Sequence, residues 1–404
     1  MARMFCSFHA SGRARHAGRC LAAALALGMA GCDSRQHAGD GITYTHDTVT
    51  RVPWSIHVLK IDRSRRDLEW HTTLAQGHVV GLSTLVQQVQ ALPRSLGQPL
   101  AAINGDFYIA DERSPYVGDP RGLQVLDGEL VSAPSDQASF WIDANGGPQA
   151  TNLVSELRVF WPGKIEPAAT PLGLNEERAK NSAVLYTPRF GNSTRTRGGV
   201  ELILERDSDE AWLPLRAGLD IPARVREVRA GGNAPLDTNT MILSLSPGLL
   251  TNFPALLQVT TGAVLRVSTA TIPSLAGVKT AISGGHVLIR DGKKVGLGVP
   301  DSRDFKFRSV HERHPRSAVG SNRDHFFLVE VDGRQPGLSM GMTLSELADY
   351  MLKLGCDMAV SLDGGGSSTL WLRGKVVNSP SNGGPRSIAN GLVIIRKLSG
   401  PGER

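Results

Sequence analysis

Seven consecutive residues, Asp363-Gly364-Gly365-Gly366-Ser367-Ser368-Thr369, set a carboxylate beside three glycines and three hydroxyls. Glycine adds backbone entropy and no apolar surface, so three in a row are poorly explained by packing. They allow successive N–H groups to converge on one point as an anion-binding nest, with the hydroxyls as further donors. A tight turn between strands is the competing explanation, yet a turn needs only one or two special residues. No lysine and no helix follow the glycines, which separates the run from a P-loop.

Further polar groups stand at the ends of apolar runs. Pro99–Ile103 leads into Asn104-Gly105-Asp106-Phe107-Tyr108, presenting an amide and a second carboxylate, although Asn-Gly is also a common turn. Ser283-Gly284-Gly285-His286 could place an imidazole beside a ligand or simply hold a structural histidine. His314-Pro315-Arg316 and Gly383-Gly384-Pro385-Arg386 set arginines next to a stiffening proline, and guanidinium is the best bidentate partner of phosphate. Arg334, after Asp332-Gly333, reads mainly as part of a turn and is a lesser candidate.

Other chemistries find little support. His311-Glu312-Arg313-His314 is one residue short of zincin spacing. The literal Gly-x-Ser-x-Gly at Gly337–Gly341 has no strand running into Ser339 and no helix directly behind it, as a nucleophile elbow needs. No Cys-His cluster is present, and Cys356 reads as a core thiol between a helix and a strand.

Several elements must position these groups. Thr343 and Glu346 form a capping box for a helix with Leu344, Leu347, Ala348 and Met351 on one face, closed by Gly355. Met358–Leu362 then reads as a buried strand carrying Asp363 at its end, where ligands commonly bind in sheets with helices. Leu82–Leu92 has helical spacing and stops at Pro93. Val52, Trp54, Ile56 and Val58 alternate as in a strand, and Ile61 breaks the alternation, which predicts an end or bulge near Lys60. Asp127-Gly128 and Asp291-Gly292 mark hairpins. Residues 150–280 read as many short strands. The expected fold is therefore mixed α/β or α+β and β-rich, with helices packed on a mixed sheet and the site at strand ends.

The 404 residues carry a net charge of +6. Residues 1–32 contain Arg3, Arg13, Arg15, Arg19 and no acid, so +6 less four arginine charges leaves +2 for the remainder. That near-balance argues against nucleic acid as a partner. The same segment reads as a signal peptide: a basic stretch, an apolar run from Leu21 to Ala30, then Gly31-Cys32. The run is too short to span a bilayer. Small residues before Cys32 resemble a lipobox, with Met29 where leucine is usual, and imply acylation of Cys32. The expected organisation is a leader at 1–32, a tether at 33–41, a β-rich segment at 42–95 and a main domain at 96–398. The expected protein is an exported bacterial envelope lipoprotein facing the periplasm, held by an N-terminal lipid anchor in a membrane left open.

Taken in order, the motifs resemble the phosphodiester glycosidase family. They are Asn104–Tyr108, Tyr186–Gly191, Ser283–His286, His314–Gly320, Val331–Arg334, Gly341–Ala348, Leu354-Gly355, Leu362–Thr369, Asn378–Ser381 and Arg386. The triple-glycine block with its preceding helix is the most specific of them. Gly-Gly-His stands where Gly-Gly-Pro is usual, Pro385-Arg386 replaces an acidic-Arg pair, and Ser361 replaces an asparagine.

The resemblance implies cleavage of the sugar C1–O bond of a glycosyl phosphodiester or related cell-envelope glycan. On that reading Asp106 and Asp363 are the catalytic carboxylates, their division of labour open. Arg316, Arg386, the amides of Gly364, Gly365 and Gly366, and the hydroxyls of Ser367 and Ser368 hold phosphate. Asn104, Gly105 and His286 orient sugar or phosphate. No cofactor is expected and no metal ligand is assigned, although a divalent cation remains compatible with the motifs. Two alternatives stand beside it: a non-catalytic carbohydrate-binding, exopolysaccharide-associated envelope protein, and a metal-assisted phosphodiesterase. The latter needs clustered Asp/His ligands, and beyond Asp106 and Asp363 none is evident in the sequence.

Overall fold

The computed structural model describes residues 39–135, 137–207, 212–297 and 309–398; Cys32 and the leader lie outside the described residues. Among the described residues no helix is long and apolar enough to cross a membrane.

One sheet has seven antiparallel strands, in the order Ile42–Val49, Trp54–Asp62, His325–Val331, Arg316–Ser321, Met358–Ser361, Val287–Arg290 and Lys293–Lys294. A five-stranded antiparallel sheet runs Lys375–Val376, Leu370–Leu372, Gln98–Asn104, Asn390–Arg396 and Leu68–Leu74. Their facing side chains, among them Leu59, Val319 and Val360 against Leu100, Ile103, Leu392 and Ile394, share one core. A second five-stranded sheet contains Gln124–Leu126, Ala138–Ile142 and Thr280–Ser283.

Residues between Val154 and Ile272 form a closed seven-strand barrel. Val154–Phe160 and Val264–Ile272 pair antiparallel to close it, and Ala169–Leu174 lies parallel to Ala183–Tyr186. Closure leaves no unpaired edge in a region built from short strands.

The architecture corrects the expectation of helices packed on a mixed sheet. The chain is instead mostly antiparallel strands and a barrel, because its apolar residues recur largely at period two and bury against other strands. One helix does lie on the seven-stranded sheet. Leu344–Lys353 starts at the Thr343/Glu346 capping box and ends before Gly355, whose φ is +83°. Its Leu344, Leu347, Ala348 and Met351 pack on Ile56, Val58, Leu288 and Val329.

The strand through Lys60 also differs from expectation. It continues to Asp62 in unbroken register with both neighbours. Ile56 and Val58 serve the core under the helix, while Leu59 and Ile61 serve the core between the sheets. Burial on both faces, rather than a bulge, erases the alternation. Leu82–Leu92 contains a shorter helix, Leu85–Gln90, capped by Thr84. Both predicted Asp-Gly turns form, with positive φ at Asp127-Gly128 and Asp291-Gly292.

Candidate active site

The ends of two strands from different sheets are stitched together by backbone. Gln98–Asn104 runs out into Gly105-Asp106, and Met358–Ser361 runs out into Leu362-Asp363. Asp363 N–H donates to Gly105 O at 2.9 Å, and Asn104 Nδ2 donates to Asp363 O at 2.7 Å. Gly105 is required where it stands, since an added Cβ would collide with Asn390 Oδ1 and Ile282 Cδ1. Asn104 is fully buried, and its Oδ1 accepts from Ser317 Oγ (2.6 Å) and Thr369 N–H (3.1 Å). Its amide is thus consumed in pinning the site together.

The two carboxylates lie close enough that the charge of Asp363 bears on Asp106. Their environments differ. Asp106 is 2% exposed; its Oδ1 accepts from Phe107 N–H and its Oδ2 from Gly122 N–H, both at 2.7 Å. With its nitrogen turned inward, the Gln137 amide donates to the same Oδ1 at 3.1 Å and to Gly284 O at 2.6 Å. Burial holds Asp106 well above the usual carboxylate range. Asp363 keeps part of its surface open, though protein atoms surround it. Burial pushes its pKa up to about 6, against the lowering influence of the Ser367 hydroxyl, Gly364 N–H, Arg386 and Arg334. Gly364 N–H donates to Asp363 Oδ1 at 2.8 Å.

The glycine run is a 3₁₀ turn, Gly365–Ser367. Gly365 has φ +62°, and its N–H donates to Pro315 O at 2.9 Å. Ser367, Ser368 and Thr369 N–H donate to Gly364 O, Gly365 O and Asn104 Oδ1. The expected nest therefore narrows, because the fold already uses the amides of Gly364 and Gly365. Gly366 N–H is the one amide of the run with no acceptor among the described residues. The hydroxyls of Ser367, Ser368 and Thr369 are buried without a hydrogen-bond partner among the described residues. Ser367 Oγ lies near enough to Asp363 and Tyr108 to affect both, short of hydrogen-bond geometry with either.

Three arginines surround this turn. The Arg334 guanidinium lies over Gly365, with Nη2 3.0 Å from where a Cβ would stand, and Nη2 also meets His314 Nδ1 at 3.2 Å. Arg386 runs beside Gly366, its Cδ 3.5 Å from the corresponding position, and its exposed side chain has no partner among the described residues. Arg316, 7% exposed, donates Nε to Met342 O (2.7 Å) and Nη2 to Ser309 O and Glu312 O. It has no carboxylate partner among the described residues, and burial with Arg334 nearby brings its pKa down to about 10. Arg316 thus adds positive charge beneath the loop while most of its donors latch backbone.

His286 is half-buried at the start of Val287–Arg290, and its N–H donates to Ser361 Oγ at 2.9 Å, two residues before Asp363. The sequence ranks Arg334 only as a lesser candidate within a turn and gives Tyr108 no role of its own; the fold swings Arg334 over Gly365. Tyr108, two positions after Asp106, donates its hydroxyl to Ser387 O at 2.9 Å and lies within the fields of Arg386 and Asp363. Its spacing from Asp106 was the available signal. Ser339 is buried and donates to Asp332 O, and Cys356 is buried with its thiol pushed up to about 12, so neither is placed as a nucleophile.

Residues 229–395 match the profile of the family described as Phosphodiester glycosidase, a span containing His286, Arg316, Arg334, Asp363–Thr369 and Arg386 but not Asn104–Tyr108. The chain is 32% identical over 119 residues to the SPbeta prophage-derived uncharacterized protein YomE of Bacillus subtilis (strain 168), covering 29% of this chain and 18% of that protein. It is 31% identical over 120 residues to the N-acetylglucosamine-1-phosphodiester alpha-N-acetylglucosaminidase of Bos taurus, covering 30% of this chain and 22% of that protein. The matched region therefore spans less than a quarter of either relative. In fold, a crystal structure of a hypothetical protein from Synechocystis is similar at a TM-score of 0.68 and 17% identity, over 89% of this chain and 62% of that one. Through residues 229–395, with the glycine turn and its arginines inside that span, this chain is similar to the phosphodiester glycosidase family.

Proposed function

We propose that this protein is a hydrolase that breaks the C1–O bond of a glycosyl phosphodiester, releasing the sugar and a phosphomonoester. The observation that carries the reading is Asp363. Its carboxyl, with a pKa raised to about 6, lies within the fields of Arg334, which is over Gly365, and Arg386, which is beside Gly366. A titratable group near neutrality is matched to general-base work, and the arginines beside it are matched to a phosphate.

Arg386, Arg334, Gly366 N–H and the Ser367 hydroxyl receive the phosphate oxygens, with Arg316 adding charge from below. Water attacks C1 and gives its proton to ionised Asp363. The C1–O electron pair passes to the phosphate oxygen, whose charge the arginines stabilise. A phosphomonoester leaves as a weakly basic anion, which reduces the need for the strong general acid of ordinary glycosidases. Asp106, with both oxygens engaged by backbone N–H groups, holds the loop that carries Phe107 and Tyr108. The proposed substrate is a glycosyl phosphodiester of the cell envelope, met by a protein anchored through acylated Cys32.

Turnover of an N-acetylglucosamine-1-phosphodiester in ¹⁸O-labelled water tests the reading. Label in the free sugar, with unlabelled phosphomonoester, is the expected result. Label in phosphate would move the reaction to P–O cleavage. Absence of turnover on a panel of sugar phosphodiesters would favour a carbohydrate-binding role.

A further inference from the structure

A second polar cluster lies in the seven-stranded sheet. His57 on Trp54–Asp62 pairs directly with Glu330 on His325–Val331, and Asp332 follows that strand. The three are 3%, 0% and 1% exposed, and one potential ligand atom from each lies within 4.8 Å of the others. Glu330 is flanked in sequence by Val329 and Val331, yet neither of its carboxylate oxygens has a hydrogen-bond partner among the described residues. The Asn378 amide approaches it, and one of the two Asn378 side-chain N–H groups donates to Ser368 O at 3.3 Å.

A buried carboxyl group left in that condition is costly. A cation would satisfy it. The remaining contacts orient the cluster as outer partners orient metal ligands. Tyr44 Oη meets His57 Nδ1 at 2.8 Å, which leaves Nε2 directed at Asp332 Oδ2, 3.0 Å away. Ser55 Oγ donates to Asp332 Oδ2 at 2.7 Å, and Ser379 N–H donates to Oδ1 at 2.7 Å.

We propose that His57 Nε2, Glu330 and Asp332 bind a first-row divalent cation as a structural centre. One imidazole and two carboxylates suit Zn²⁺ or Mn²⁺ better than the oxygen-only ions. Metal–ligand bonds of about 2.1 Å place ligand atoms roughly 3.4 Å apart in a tetrahedron, between the 3.0 Å of the His57–Asp332 contact and the 4.8 Å that bounds the cluster. The ligands are too buried to meet a substrate, so the ion organises rather than reacts. Asp332 precedes Gly333-Arg334 and holds Ser379 on the segment leading to Arg386, so the centre ties together the two segments that flank the glycine turn. The proposal does not rest on the glycosidase reading and is read out without turnover.

Metal analysis of the purified protein by inductively coupled plasma mass spectrometry is the direct test. About one equivalent of Zn or Mn per chain is expected. Stripping with EDTA should lower Tm by about 4 °C, and ZnCl₂ or MnCl₂ well above Kd should restore it. Glu330→Gln, nearly isosteric, should carry no ion and show no Tm response to either metal. A folded wild type that contains no metal and binds neither ion by calorimetry would overturn the proposal, leaving only buried water there. Wild-type metal content in Glu330→Gln would overturn it equally. If that variant fails to fold, wild-type metal content and its Tm response decide alone.

Discussion

Replacing Asp363 with asparagine is expected to abolish turnover and at the same time stabilise the protein above pH 6. The carboxyl has a pKa of about 6 in the folded chain against 3.8 for a free aspartate. Ionising it therefore costs on the order of 3 kcal/mol more when folded than when unfolded. Below pH 3.8 the group is protonated in both states and the penalty vanishes. It grows as pH rises toward 6 and is complete above it. Asparagine has nothing to ionise. Its amide oxygen can still accept from Gly364 N–H, and its NH₂ faces the unpartnered Ser367 hydroxyl. Urea unfolding at pH 8, with an m-value of about 3 kcal/mol/M, should shift the midpoint upward by about 1 M. The difference should shrink toward zero near pH 4. Activity should fall roughly 10²–10⁴-fold, the range for loss of a general base, and wild-type kcat/KM should decline as pH drops through 6. A variant no more stable than wild type at pH 8, or a stability gap independent of pH, would refute the electrostatic account. Full activity in the variant would refute the catalytic one.

Two further substitutions separate binding from scaffolding. Arg386→Ala removes an exposed guanidinium with no hydrogen-bond partner among the described residues, so Tm should hold; loss of a charge-assisted hydrogen bond of about 1.5–3 kcal/mol should raise KM roughly 10–100-fold. Steady-state kinetics with a sugar phosphodiester check this, and an unchanged KM would remove Arg386 from the phosphate site. Asn104→Ala leaves Ser317 Oγ and Thr369 N–H unpaired in a buried setting, at a cost of roughly 2–5 kcal/mol. Thermal denaturation should show a clear fall in Tm, whereas an unchanged Tm with lost sugar binding would return Asn104 to direct ligand contact.

Much of the site was legible where short-range chemistry decides the outcome. Asp363 at a strand end, the glycine run behind it and the capped helix before it all follow from neighbours a few residues apart. What those groups do was less legible. Glu330 and His57 are 273 positions apart in the chain and look like ordinary strand residues, so their cluster appears only once the strands pair. Likewise, the amides of Gly364 and Gly365 looked available until Asp363 Oδ1 and Pro315 O were found to occupy them.

By itself the sequence determined the turns, the helix at Leu344–Lys353, the strands that carry both aspartates and the family motifs. Those depend on local dihedral preference, capping and period-two burial, which act over a few residues. Only the tertiary structure decided that residues 154–272 close into a barrel, that the strand through Lys60 is buried on both faces, and that Asp106 and Asp363 differ in access. It also placed Arg334 over Gly365 and kept most of the Arg316 donors on backbone. These outcomes depend on desolvation and on which distant groups compete for each donor, and neither is set until the sheets have come together.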